Sequence, residues 1–375
     1  MNASPVPALP ELTVLEICSP EAPEHLRLAS AMAGRLLADQ GIRVVRLPPP
    51  DGDSLEQAAP LLPDGTSAIA AFLGLGKSEL VPSGSATRAD IVAQLLQSGL
   101  AGVLIEETEP LRDQIAAAGI PVVEIGTWPA QCPDLGSAAE TSEFTVLAAS
   151  GMLDIIGDPA REPLRLGGHQ VAYAAGLSAF TASMTAIYRM GFTGRASHAR
   201  VSLLETAIWL NWKAVAGPYA GQEVPTREGD GADFQVLPCV DGWIAFVYLP
   251  GEFDSVRRMV GDPALDDPRF ATVASRRANI RAIIEIVRPW LAERTRAEIN
   301  AHAQACGVPI GPVFSPRELL EDDQYVHGKF ITEVAGTAGG SAFRTPGSPA
   351  TVNGQRLPLA PRTRVTLEDV LGERA

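Results

Sequence analysis

The sequence predicts an α/β protein, with a large doubly wound, Rossmann-like domain followed by a small α+β domain. Three observations carry this expectation. Short apolar runs bounded by Gly and Pro alternate with helical patterns through the first half of the chain. Small residues are abundant, including 35 glycines among 375 residues, which suits helices packed closely on a sheet. A Gly-rich and charged stretch, 217–233, then gives way to a hairpin pattern.

Glu11 to Ile17 reads as the first strand, with Leu12, Val14, Leu15 and Ile17 apolar. A helix is expected over 23–40, because Leu26, Met32, Leu36 and Leu37 recur at helical spacing. Gly41 ends it, as Gly does just past a helix. Ile42 to Leu47 is the second strand, stopped by Pro48, Pro49 and Pro50. Ala68 to Gly76 is a further apolar segment, and Thr87 to Ser98 an amphipathic helix with Ile91, Val92, Leu95 and Leu96 on one side. Strands are expected at 101–105 and 121–125. Pro129 to Ser142 has no periodicity, and a helix follows over 145–153. Next come a Gly167-Gly168 turn, a long helix of small residues over 173–189, and the block Gly194-Arg195-Ala196-Ser197 before Val201 to Ala207. Ile208 to Ala216 continues as helix. Phe234 to Pro238 and Gly242 to Tyr248 form an antiparallel hairpin turning at Val240-Asp241-Gly242. The large domain is placed at 1–220 and completed by 330–375, and the small domain at 233–326.

The chain carries a formal net charge of -14, which disfavours binding to nucleic acid or an anionic membrane through bulk electrostatics. A polyanion is accepted only at a local basic patch or a helix N-terminus. Cys18, Cys132, Cys239 and Cys306 lack the spacing of a metal site or redox pair and read as reduced thiols of a cytoplasmic protein. Cys239 and Cys306 are expected to serve packing, since a reactive thiolate needs a neighbouring base or cation. The start of the chain lacks the basic residues of a signal peptide, and no apolar run approaches the roughly 18 residues of a membrane span.

The stretch from Gly151 to Ala207 resembles the family III CoA-transferases (CaiB/BaiF), the group of formyl-CoA transferase, carnitine CoA-transferase and methylacyl-CoA racemase. In that family a Gly-rich turn leads into a helix that opens with the catalytic Asp, and a GR-G-Q-x-V-x-V-S-L-x-E-A block closes the unit. Further matches are Val14-Leu15-Glu16-Ile17, Leu36-Leu37-Ala38-Asp39-Gln40-Gly41 and Val44-Val45-Arg46-Leu47. In the second half they are Asp241-Gly242-Trp243-Ile244, Asp266-Asp267-Pro268-Arg269-Phe270, Arg276-Arg277-Ala278-Asn279 and Cys306 to Val313. The resemblance spans about Leu12 to Pro361 and implies coenzyme A or an acyl-CoA as substrate, with no covalently bound cofactor and no metal. It also implies a tail that returns to the large domain and an interlocked dimer.

Several family positions differ here. The position of the catalytic Asp is Ala172, which has no nucleophile, acid or base. The nearest carboxylates along the chain, Glu162 and Glu205, are too distant to replace it. The family's short A-G-P turn before the first helix becomes a longer segment, Cys18 to Leu28. Its V-E-N-F-R-P-G becomes Ile105-Glu106-Glu107-Thr108-Glu109-Pro110. The added carboxylates are expected to repel a phosphate by a few kcal/mol per contact at about 4 Å.

Four further sites follow from the resemblance. His169, beside the position of the missing Asp, is a candidate acid/base or a hydrogen-bonded structural His. Arg46 and Lys77 are the candidate partners of CoA phosphates, or solvated surface cations. Gly229-Asp230-Gly231 is a candidate active-site loop or a plain turn. Three functions are compatible with this pattern. The first is a non-catalytic subunit of a CoA-transferase, paired with a catalytically complete paralogue. The second is an acyl-CoA lyase or racemase-type enzyme using His169. The third is a regulatory or binding homodimer without CoA chemistry.

Overall fold

The computed structural model describes residues 12–81, 84–132, 140–221, 227, 234–336 and 340–372. The apolar runs of the first half form short strands, most of them fully buried. These are β1 (Thr13–Ile17), β2 (Arg43–Leu47), β3 (Lys77–Leu80), β4 (Gly102–Glu106) and β5 (Val122–Gly126). Between them lie α1 (Glu24–Asp39), α2 (Ala68–Gly74), α3 (Arg88–Leu96) and α4 (Arg112–Ala116). Then follow α5 (Glu143–Ala149), α6 (Gln170–Thr193), β6 (His198–Ser202), α7 (Leu203–Leu210) and α8 (Trp212–Tyr219). The remaining strands are β7 (Gln235–Cys239), β8 (Gly242–Phe246), β9 (Gly311–Pro312), β10 (Ile331–Val334), β11 (Phe343–Pro346) and β12 (Thr363–Val365).

Seven strands make one parallel sheet in the order β12-β3-β2-β1-β4-β5-β6. The strand order reverses between β1 and β4, which marks the switch point of a doubly wound sheet. Alternate residues of each strand point to opposite layers. Val14, Val44 and Leu104 meet α1, α6 and α7, while Leu15, Ile17, Val45 and Ile105 meet α3 and the helix Leu367–Gly372. The last strand comes from the far end of the chain, Thr363 to Val365 lying beside Ser78 to Leu80.

Helix α6 explains its own run of small residues. Ala172, Ala175, Gly176 and Ala179 are buried on the face that meets α1. A Cβ on Gly176 would stand 2.7 Å from the Met32 Cβ and 2.8 Å from the Ala29 carbonyl oxygen. Glycine is therefore required for the two helices to approach this closely.

The chain divides into two compact units. The larger holds the seven-stranded sheet, α1–α8 and the β10–β11 hairpin. The smaller holds β7–β8, with β9 added to β8, and its own core of Leu237, Ile244, Phe246, Val256, Ile283, Val287, Leu291 and Ile299. These side chains come from the hairpin and from the helices Phe253–Val260, Ile280–Ala292 and Arg296–Cys306.

Candidate active site

The start of α6 is held by a residue that sequence reasoning missed. Ser142 caps α5 by accepting from the Thr145 N–H, and Thr145 returns a hydroxyl to the Ser142 N–H. This capping box sets Glu143 as the first residue of α5. The Glu143 side chain is buried and turned toward α6. One carboxylate oxygen accepts from the backbone N–H of Val171 at 2.7 Å and of Ala172 at 3.3 Å. The other lies 3.2 Å from His169 Nδ1. His169 stands at the N-cap position of α6 but makes no capping bond of its own, so Glu143 supplies the cap from another helix.

Ala172 is fully buried in the first turn of α6. His169 and Tyr173 meet edge to face at 6.1 Å between ring centroids. Burial raises the Tyr173 phenol, and the charges of Glu143 and Glu24 raise it further. The cluster is therefore Glu143, His169, Tyr173 and Ala172, one carboxylate already engaged with three donors and no nucleophile at the expected position. The sequence signal for Glu143 was its capping box, Ser142-x-x-Thr145, which fixes the direction of α5 but not what its first side chain meets. Replacing Glu143 with Ala strands two helix N–H groups and is expected to cost about 1–3 kcal/mol. A thermal melt beside Glu143→Gln, which keeps an acceptor, measures it.

Arg46 and Lys77 are placed differently from phosphate ligands. Lys77 is 1% exposed, with Nζ 2.6 Å from Glu16 and 2.8 Å from the Ala31 carbonyl. Burial lowers its pKa, and Glu16 opposes that shift. Arg46 is 5% exposed and paired with Asp53, Glu79 and, at 3.7 Å, Glu16. The strand register explains this, since Glu16 lies opposite Arg46 and Arg46 opposite Glu79. Cross-strand pairing thus turns three apparently misplaced charges into a ladder beneath α1. Neither cation fits a CoA phosphate without giving up a buried carboxylate.

The repulsion expected of the two added carboxylates, Glu107 and Glu109, is corrected by their partners, and Glu106, which matches the family's own Glu, is likewise partnered. Glu106 is fully buried and accepts from the Ser19 N–H at 2.8 Å, from Arg27 at 3.1 Å and from the Ser30 hydroxyl. Glu107 accepts from the Thr127 N–H at 2.7 Å and pairs with Arg200. Glu109 lies 3.3 Å from Arg88 and accepts from the Leu111 N–H at 3.2 Å. Each is neutralised from within, so none projects a free negative charge. Gly229, Asp230 and Gly231 lie outside the described residues. All four cysteines are free thiols; Cys18 is buried, and burial raises its pKa.

The comparisons with known proteins bear on this arrangement. The model of CoA-transferase family III matches residues 134–363. The chain is 24% identical to the formyl-CoA:oxalate CoA-transferase of Streptomyces coelicolor, covering 91% of this chain and 88% of that protein. It is 26% identical to the probable CoA-transferase Rv1866 of Mycobacterium tuberculosis, over 80% of this chain but 40% of that protein. Among solved structures, a CAIB/BAIF family protein from Brucella suis aligns with a TM-score of 0.77 at 22% identity, over 97% of both chains. That last likeness shows the fold, and the family match extends over more than half of the sequence. The chain belongs to CoA-transferase family III.

Proposed function

We propose that this protein is the subunit of a CoA-transferase pair that lacks the acyl-carrying carboxylate, working with a paralogous chain that retains it. The observation that carries this reading is Ala172. A methyl group stands, fully buried, where the family resemblance puts the nucleophilic Asp, and the neighbouring Glu143 is committed to capping α6. The scaffold around the gap is intact, as expected of a chain kept for assembly rather than for its own turnover.

Two observations support a partner. One relative, Rv1866, is about two and a half times as long as the part that this chain matches, leaving room for a second unit of similar size. In addition, α6–α8 carry exposed Leu177, Tyr188, Phe192, Trp209, Trp212 and Tyr219, an apolar surface of the kind that interfaces cover. The substrates proposed for the pair are CoA thioesters of small carboxylic acids, the class named for the formyl-CoA:oxalate relative. We place the protein in the cytoplasm.

Co-expression with a family paralogue that carries the Asp tests the proposal. The expected result is a co-purifying complex that transfers CoA, while this chain alone is inactive. Replacing the paralogue's Asp with Ala should abolish turnover. Transfer catalysed by this chain alone would overturn it.

A second reading, an acyl-CoA lyase or racemase, is favoured by the 3.2 Å contact that orients His169 through Glu143, an arrangement suited to proton transfer. Under that reading His169→Ala abolishes turnover by the isolated chain and leaves its melting temperature within a few degrees.

A further inference from the structure

A cation held out of water needs an anion close to it. Among the described residues the buried lysine and arginine side chains are Arg27, Arg35, Arg46, Lys77 and Arg276. The first four each meet a carboxylate. Arg27 pairs with Glu106, Arg35 with Asp39, Arg46 with Glu79 and Lys77 with Glu16. Arg276, on the helix Val273–Ala278 of the smaller unit, pairs with no carboxylate among the described residues, although it is only 8% exposed. Its guanidinium donates to the carbonyls of Phe270 at 3.0 Å, Ala271 at 3.4 Å and Pro250 at 2.7 Å, and stands 4.8 Å from the centre of the Phe253 ring. These contacts satisfy N–H groups and pin the turn after Pro268–Phe270. Carbonyl dipoles and a ring face do not cancel a full charge.

The same side chain lines an open cavity of about 80 Å³. Its other walls are Phe234, Tyr248, Leu249, Pro250, Val273 and Arg277. In a chain of net charge -14, the described lining thus offers two guanidinium groups and no carboxylate. Glu252, just beyond Pro250, is engaged by the Leu249 N–H at 2.8 Å. A cavity of roughly 150 Å³ takes a benzene molecule, so this one suits a smaller body.

We infer that this cavity binds a small carboxylate of about two to four carbon atoms, its anionic end on Arg276 and Arg277 and its short apolar body against Leu249, Pro250 and Val273. All the lining residues belong to the smaller unit, whereas Glu143, His169 and Ala172 belong to the larger. The inference goes beyond the pairing reading and does not rest on it.

Calorimetric titration of the purified full chain with propionate is expected to show one site with a Kd of about 0.1–1 mM. Inorganic phosphate, which has no apolar body, should bind more weakly. Arg277→Gln removes one guanidinium and should weaken propionate binding about tenfold. Val273→Glu supplies a carboxylate from within, because residues three apart on a helix are neighbours. That variant should melt no lower than the native chain and bind no propionate. Absence of propionate binding by the native chain at concentrations on the order of 10 mM would overturn the inference. So would equal affinities of the native chain and Arg277→Gln, or phosphate binding tighter than propionate. If Val273→Glu does not fold, the comparison with Arg277→Gln decides. The titrations use this chain alone without CoA, so failure to find a partner chain leaves them unchanged.

Discussion

Replacing Lys77 with Met is expected to destabilise the protein by about 3–5 kcal/mol, the cost of leaving a buried charge without its partner. Lys77 Nζ is held between Glu16 and the Ala31 carbonyl, almost wholly out of water. Removing it takes away the closest partner of the buried Glu16 carboxylate and leaves only the more distant Arg46, at 3.7 Å, to balance it. Gly34 shows how closely α1 covers this pair, because a Cβ there would fall 1.9 Å from Glu16 Oε2 and 2.9 Å from Lys77 Nζ. The melting temperature should fall by on the order of 10 °C. The double variant Lys77→Met/Glu16→Leu removes both charges and should recover much of the loss. Urea unfolding of the native, single and double forms measures the coupling. A single-variant loss under about 1 kcal/mol would mean that water reaches the pair.

The second large effect is a loss of stability in mild acid. His25 is 3% exposed, with Nε2 2.8 Å from the Thr127 hydroxyl, and burial pushes its pKa down to about 4. An unfolded histidine titrates near 6.5. Between these values the unfolded chain binds a proton that the folded chain does not, so stability rises with pH across this window and falls as pH drops through it. By pH 4.5 the contribution is about 2.5 kcal/mol, from about 1.4 kcal/mol per pH unit. His25→Gln keeps a hydrogen-bonding group without the titration. The difference in urea midpoint between pH 7.5 and 4.5 should therefore be smaller for the variant than for the native chain. Equal differences would show that His25 is hydrated or charged in the folded state.

Both effects rest on side chains whose surroundings the sequence did not disclose. The strands were legible because runs such as Val14-Leu15 and Val103-Leu104-Ile105 are apolar on both faces. The first helix was legible from its spacing, and Gly41 from its place just past α1. By contrast, Arg46 and Lys77 read as surface cations because their partners arrive from other strands and from α1. The Ala68–Gly76 segment gave no period long enough to decide, and it became one short helix followed by an immediate turn into β3. Helix α6 began at Gln170 rather than at Tyr173, because its cap comes from Glu143, on a different helix. Helix α7 stopped at Leu210, with Asn211 separating it from α8. The gap at Ala172 was legible from the residues alone. The carboxylate filling the turn beside it was not, since its approach depends on where α5 points.

The pairing of β12 with β3 has a consequence for synthesis. When Leu80 leaves the ribosome, β3 has a partner in β2 on one side only, and the strand that covers its other side is still roughly 280 residues away, on the order of 15–60 s at ordinary elongation rates. Until then the nascent sheet has an open margin, the kind of edge that invites pairing with another chain. β3 meets that interval with Lys77, Ser78 and Glu79 in four residues, a polar strand that a hydrophobic neighbour gains little by joining. The same charges that form the buried ladder in the finished molecule guard the unfinished one.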